Sequence, residues 1–106
     1  AIFPAMITAG DLTLDSSRPE VRRDGQVVAR LTRLECRLLE VLMLNKGQVM
    51  LNETLIDHIW GPVGGDKMML KQLIYRLRHK IEADPSNPTY VENVPGMGYA
   101  FASGER

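Results

Sequence analysis

The run Lys67–Ile81, KMMLKQLIYRLRHKI, constrains this chain more than any other segment. Leu70, Ile74, Leu77 and Ile81 recur at i, i+4, i+7 and i+11, a spacing that lines one narrow face of an α-helix and requires that face to be buried. At about 100° per residue, Met68, Lys71, Gln72, Tyr75, Arg76 and His79 then fall on the opposite side, with Arg78 and Lys80 on the flanks. The run takes five of the 13 Lys and Arg residues and none of the 13 acids, leaving eight cations against 13 acids elsewhere. A chain of zero net charge is no indiscriminate polycation; its positive charge is gathered on one element. A helix pinned by an apolar face and offering cations, an amide and a phenol on the other suits the major groove of DNA. The plainer alternative, a solvated surface helix, fits less well because the run lacks acids altogether.

Length and composition bound the rest. A chain of 106 residues, 44% hydrophobic, supports one core. No stretch approaches the ~20 apolar residues of a membrane span, and AIFPAMITAG lacks the pattern of a signal peptide, so a cytoplasmic protein without membrane contact is expected. The single cysteine, Cys36, has no internal disulfide partner and reads within LECRLLEVL as a small core residue. His58 and His79 sit in no metal-ligand pattern, so neither a metal nor a cofactor is expected. Two histidines and one cysteine assemble no set of nucleophile, base and orienting group, which argues against an enzyme. Gly96-Met97-Gly98 is not followed by a helix and reads as a turn, not a phosphate loop.

The order of elements predicts an α+β domain. Ile7, Leu12 and Leu14 alternate with polar residues around Gly10-Asp11, and Glu20–Arg23 and Gln26–Leu31 flank the hairpin signal Asp24-Gly25, giving about four short antiparallel strands. Thr32-Arg33-Leu34-Glu35 is a capping box with Leu31 and Cys36 as its staple, so a helix should run from Arg33 to about Asn45 and stop at Gly47. Gln48–Leu51 reads as a strand, Asn52 as the N-cap of a second helix with Leu55, Ile56, Ile59 and Trp60 on its apolar face, and Gly61–Gly65 as a loop. Asp66 caps the third helix, and Tyr90–Val94 and Tyr99–Ala102 flank the turn Pro95-Gly96-Met97-Gly98. The expected fold is a winged helix-turn-helix: an N-terminal four-stranded antiparallel sheet, three helices and a C-terminal β-hairpin wing. Residues 7–102 form the domain, 1–6 a linker remnant and 103–106 a tail.

Three stretches, LTRLECRLLEVLMLNKGQVM, LIDHIWG and IYRLRHKIEADPSNPTYVENVPGMGYAF, together resemble the effector domain of the OmpR/PhoB class of bacterial two-component response regulators. The resemblance implies tandem, head-to-tail protomers on direct repeats in promoter DNA, a receiver domain elsewhere in a longer protein, and contact with RNA polymerase through Gly61, Pro62, Val63, Gly64 and Gly65. It also implies that Arg76 reads a base and Arg78 holds a phosphate. The expected DNA-binding set is Lys67, Met68, Lys71, Gln72, Tyr75, Arg76, Arg78, His79, Lys80 and Met97. Met68, Met69, Lys71, Gln72, Leu73 and Tyr75 depart from the family's usual residues, and Pro95 and Ala100 stand where arginines are common. Met68 and Met69 are placed to touch thymine methyl groups. The alternatives are a winged helix that docks an acidic protein surface, and the DNA-binding domain of a one-component regulator.

Overall fold

The computed structural model describes residues 5–102. Four strands, β1 (Met6–Ala9), β2 (Leu12–Asp15), β3 (Glu20–Arg23) and β4 (Gln26–Arg30), form an antiparallel sheet in chain order. Then follow α1 (Arg33–Leu44), β5 (Val49–Leu51), α2 (Asn52–Trp60), a 3-10 turn at Gly61–Val63, α3 (Lys67–Ile81) and the hairpin β6 (Val91–Val94) and β7 (Gly98–Phe101). β1 begins one residue before the expected domain boundary, because Met6 pairs with Asp15. The rest of the expected linker, residues 1–4, and the tail, 103–106, lie outside the described residues apart from Ala5, whose carbonyl accepts from the Ser16 amide.

Local chemistry accounts for the elements. Asp24 and Gly25 have φ of 54° and 78°, the left-handed pair that joins two strands with their natural twist. The capping box closes both ways: Glu35 N donates to Thr32 Oγ1 at 3.3 Å and Thr32 N to Glu35 Oε1 at 2.9 Å. α1 ends at Leu44 with Asn45 as its C-cap, and Gly47 follows at φ 84°. Asp66 Oδ1 accepts from Met69 N at 2.8 Å, starting α3 as expected.

One cap differs from expectation. Asn52 is the first residue of α2 and not its N-cap; Leu51 holds that position and offers no side-chain acceptor. Tertiary pairing takes part in this helix start, since Asn52 N, one of the first-turn amides without an intrahelical acceptor, donates to the carbonyl of Met97 at 3.0 Å. The same approach makes β5 the third strand of the wing sheet, in the order β5-β7-β6, with Val49 opposite Ala100 and Leu51 opposite Gly98.

The core sits between the N-terminal sheet and the helices. Leu12, Leu14, Leu38, Leu39, Leu42, Leu55, Ile59 and Leu77 have no exposed surface, and Leu70, Leu73, Ile74, Ile81 and Phe101 nearly none. Each such side chain contributes roughly 1.5–3 kcal/mol on leaving water. Cys36 is among the buried residues, and burial, with the charges of Glu40 and Asp15, pushes its thiol pKa up. Ile56 and Trp60 are only partly buried.

Candidate nucleic-acid interface

α3 is held by its Leu70, Leu73, Ile74, Leu77 and Ile81 face, so its other face is fixed outward. Lys67, Met68, Lys71, Gln72, Tyr75, Arg76 and His79 are all exposed. Lys67, Lys71 and Arg76 have no ion-pair partner among the described residues, which leaves three cations open to an anion. Tyr75 and His79 lie against each other one turn apart, ring centroids 4.1 Å and planes tilted by 39°, and His79 Nδ1 lies 2.9 Å from the Tyr75 carbonyl oxygen. Between this face, the Asp84-Pro85-Ser86 loop and Tyr99 of β7 runs an open concavity of about 800 Å³ that Lys71, Tyr75 and His79 help to line. Lys67 meets the tip of the wing, where Met97 is half exposed, across a smaller hollow of about 210 Å³.

The two flank cations have protein acceptors, although Arg78 also lines the larger concavity. Arg78 donates from Nε and Nη2 to the carbonyl of Val91, at 3.0 and 2.8 Å, and its guanidinium lies 5.8 Å from the Tyr99 ring centroid. Lys80 Nζ lies 2.6 Å from Oε1 of Glu35, a residue 1% exposed. Arg78 thus ties α3 to the wing, and Lys80 ties it to α1. Of the ten residues expected to meet DNA, these two are occupied by protein acceptors; the other eight share one side of the molecule.

A carboxylate that the sequence did not single out sets the wing's angle. Glu82, the C-cap of α3 and buried, accepts from the amides of Thr89 (2.8 Å), Tyr90 (3.1 Å) and Val91 (2.9 Å). The chain therefore returns against the end of α3 just where Val91 offers its carbonyl to Arg78. Nothing local signals this, because the acceptor and its donors are separated by the Asp84–Pro88 break. Tyr90 extends the brace to the first sheet: its hydroxyl donates to Asp11 Oδ1 at 2.7 Å and accepts from Arg23 Nε at 3.2 Å. The Gly61–Gly65 loop is supported from beneath by Trp60, whose ring would meet a Cβ on Gly65 at 2.6 Å, while Val63 projects with 89% of its surface exposed.

A three-helix unit whose third helix presents a cationic face beside a three-stranded wing is a winged helix-turn-helix, the class of DNA-binding domain expected from the sequence. Residues 25–101 match the family model described as "Transcriptional regulatory protein, C terminal", and the chain belongs to that family, the OmpR/PhoB-type DNA-binding effector domains of response regulators. It is 40% identical to the sensory transduction protein RegX3 of Mycobacterium leprae over 103 residues, 96% of this chain and 52% of that protein. It is 36% identical to the DNA-binding response regulator MtrA of Mycolicibacterium paratuberculosis over 95 residues, 89% of this chain and 42% of that one. The chain thus spans about half the length of the curated relatives it matches. Among solved structures, the RstA DNA-binding domain of Klebsiella pneumoniae in complex with RstA box superposes with a TM-score of 0.80 at 29% identity, over 94% of this chain and 99% of that one. The response regulator DrrB of Thermotoga maritima, an OmpR/PhoB homolog, gives 0.80 at 30% identity, over 92% of this chain and 44% of that one. No helix among the described residues is long and apolar enough to cross a membrane.

Proposed function

We propose that this domain recognises promoter DNA by sequence, as the effector of a cytoplasmic two-component response regulator whose receiver domain lies elsewhere in the full-length protein. The observation that carries the reading is the exposed, acid-free face of α3, where Lys67, Lys71 and Arg76 stand around Gln72 with no ion-pair partner among the described residues. Gln72 and Arg76 are one turn apart and supply the two side-chain types that pair bidentately with adenine and guanine. Lys67, Lys71 and His79 face the phosphates on either side of the groove, and the Met97 tip of the wing lies along the backbone. Arg78 and Lys80 hold α3 in place rather than contacting DNA.

By family likeness, two protomers occupy direct repeats head to tail, about one helical turn apart, so that both α3 helices meet the same side of the duplex. Inserting half a turn between the repeats of a selected duplex is expected to abolish cooperative binding in a gel-shift titration. Cooperativity unchanged by the insertion would rule out the tandem arrangement.

The Gly61–Gly65 loop is the proposed contact with RNA polymerase, supported by an exposed Val63 on a turn braced by Trp60. Val63→Glu is expected to leave DNA affinity within about twofold, as for an exposed surface substitution, while lowering promoter output from the full-length regulator. Equal output from both proteins would remove the loop from that role.

A further inference from the structure

Two large side chains on the outward face of α3 are not accounted for by phosphate or base-edge hydrogen bonding. Met68 is 62% exposed and Tyr75 63%. Seven residues apart, they stand about two turns, roughly 10 Å, from each other on nearly the same line of the helix. With Lys71, Gln72 and Arg76 they line a shallow hollow of about 440 Å³. Its far wall is the Tyr75 ring, which lies against His79 with ring centroids 4.1 Å apart and planes tilted by 39°. Hydrocarbon held open to water in this way is suited to an apolar partner, and Lys71 and Arg76 beside it, unpaired among the described residues, select a partner that is also an anion. Duplex DNA satisfies both conditions through one group only: the C5 methyl of thymine is the apolar group displayed in the major groove.

We propose that α3 reads thymine by its C5 methyl group, seated in the hollow between Met68 and Tyr75. This rests on the DNA-recognition reading above and adds to it the chemical group that the apolar part of the face selects. The thioether of Met68 adapts to the methyl's position and the Tyr75 ring offers a flat wall, so the pair marks one or two thymines next to the bases that Gln72 and Arg76 pair with.

The test begins with selection of bound duplexes from a random library by this domain. Each thymine of the selected duplex is then replaced in turn by deoxyuridine, which removes the methyl and leaves every hydrogen-bonding group in place. One or two positions are expected to weaken binding about fourfold each, the equivalent of about 0.8 kcal/mol for one buried methyl. Met68→Ala and Tyr75→Ala, both at exposed positions that leave the core untouched, are expected to erase the thymine–uracil difference at those positions and not at others. Equal binding with uracil at every position overturns the methyl reading and leaves sequence recognition standing. A difference that survives in both variants overturns the assignment to this hollow. Failure to select any sequence overturns DNA recognition, and the methyl reading with it.

Discussion

Gly98→Ala is expected to destabilise the domain by about 3 kcal/mol, at the upper end of the range for overpacking. Leu51 and Gly98 are paired residues where β5 meets β7, and a Cβ on Gly98 would overlap the carbonyl oxygen of Met50 and stand 3.0 Å from the amide nitrogen of Asn52. Both neighbours are backbone, so no side chain can rotate away. Relief requires β5 to part from β7, which also breaks the hydrogen bond from Asn52 N to Met97 and so the start of α2. Urea unfolding of the variant measures the effect, and DNA affinity should fall with it because the wing and α2 lose their common anchor. A change under about 0.5 kcal/mol, the size of a neutral surface substitution, would show that the two strands separate freely.

Lys80→Ala is expected to cost about 3 kcal/mol at neutral pH, the low end for breaking a buried ion pair, since Lys80 itself is about one-third exposed. Burial pulls the Glu35 pKa up, but the hydrogen bond from Lys80, the Thr32 amide and the Lys80 charge together outweigh it and hold the carboxyl below its ordinary 4.5. A pKa lowered by folding stabilises the native state above the unfolded value, and that contribution is lost as pH falls through the folded value. The gap between wild type and variant should therefore be full at pH 7 and close below about pH 4.5, where a protonated Glu35 no longer needs a cation. Stability curves of both proteins from pH 3 to 7 would show it. DNA affinity per folded molecule should change little. The opposite pattern, unchanged stability with weaker binding and a salt slope smaller by about 0.9, would return Lys80 to the phosphate contacts.

The helices and turns were legible in the sequence because their signals are local. Thr32 and Glu35 announce α1 three residues apart, Asp24-Gly25 closes its hairpin, and Asp66 starts α3. The burial of Leu70, Ile74, Leu77 and Ile81, and with it the exposure of the opposite face, followed from period alone. Features made by distant partners were not legible. Asn52 has the composition of a cap, yet it is the first residue of α2 and its amide donates to a carbonyl at the wing tip, far along the chain. Arg78 and Lys80 look like free cations in sequence; their acceptors are a strand carbonyl and a buried carboxylate of another helix. Glu82 carries no recognisable motif and becomes a hinge post only when residues 89–91 fold back on it. The resemblance to a family placed Arg78 among phosphate contacts; its geometry here adds a brace to the Val91 carbonyl at the edge of the concavity that Lys71, Tyr75 and His79 line.

The central claim is that the exposed face of α3 reads base sequence, and Arg76→Ala tests it most directly. Binding of wild type and variant would be measured on the selected duplex, on duplexes carrying every single base-pair change, and over a range of salt. Wild-type affinity is expected to fall with log salt at about −0.9 per phosphate contacted. Arg76→Ala is expected to lose about 2 kcal/mol on the selected duplex and to relax preference at one base pair, leaving the others intact. Equal weakening on every sequence, or a wild-type affinity indifferent to salt, would contradict it.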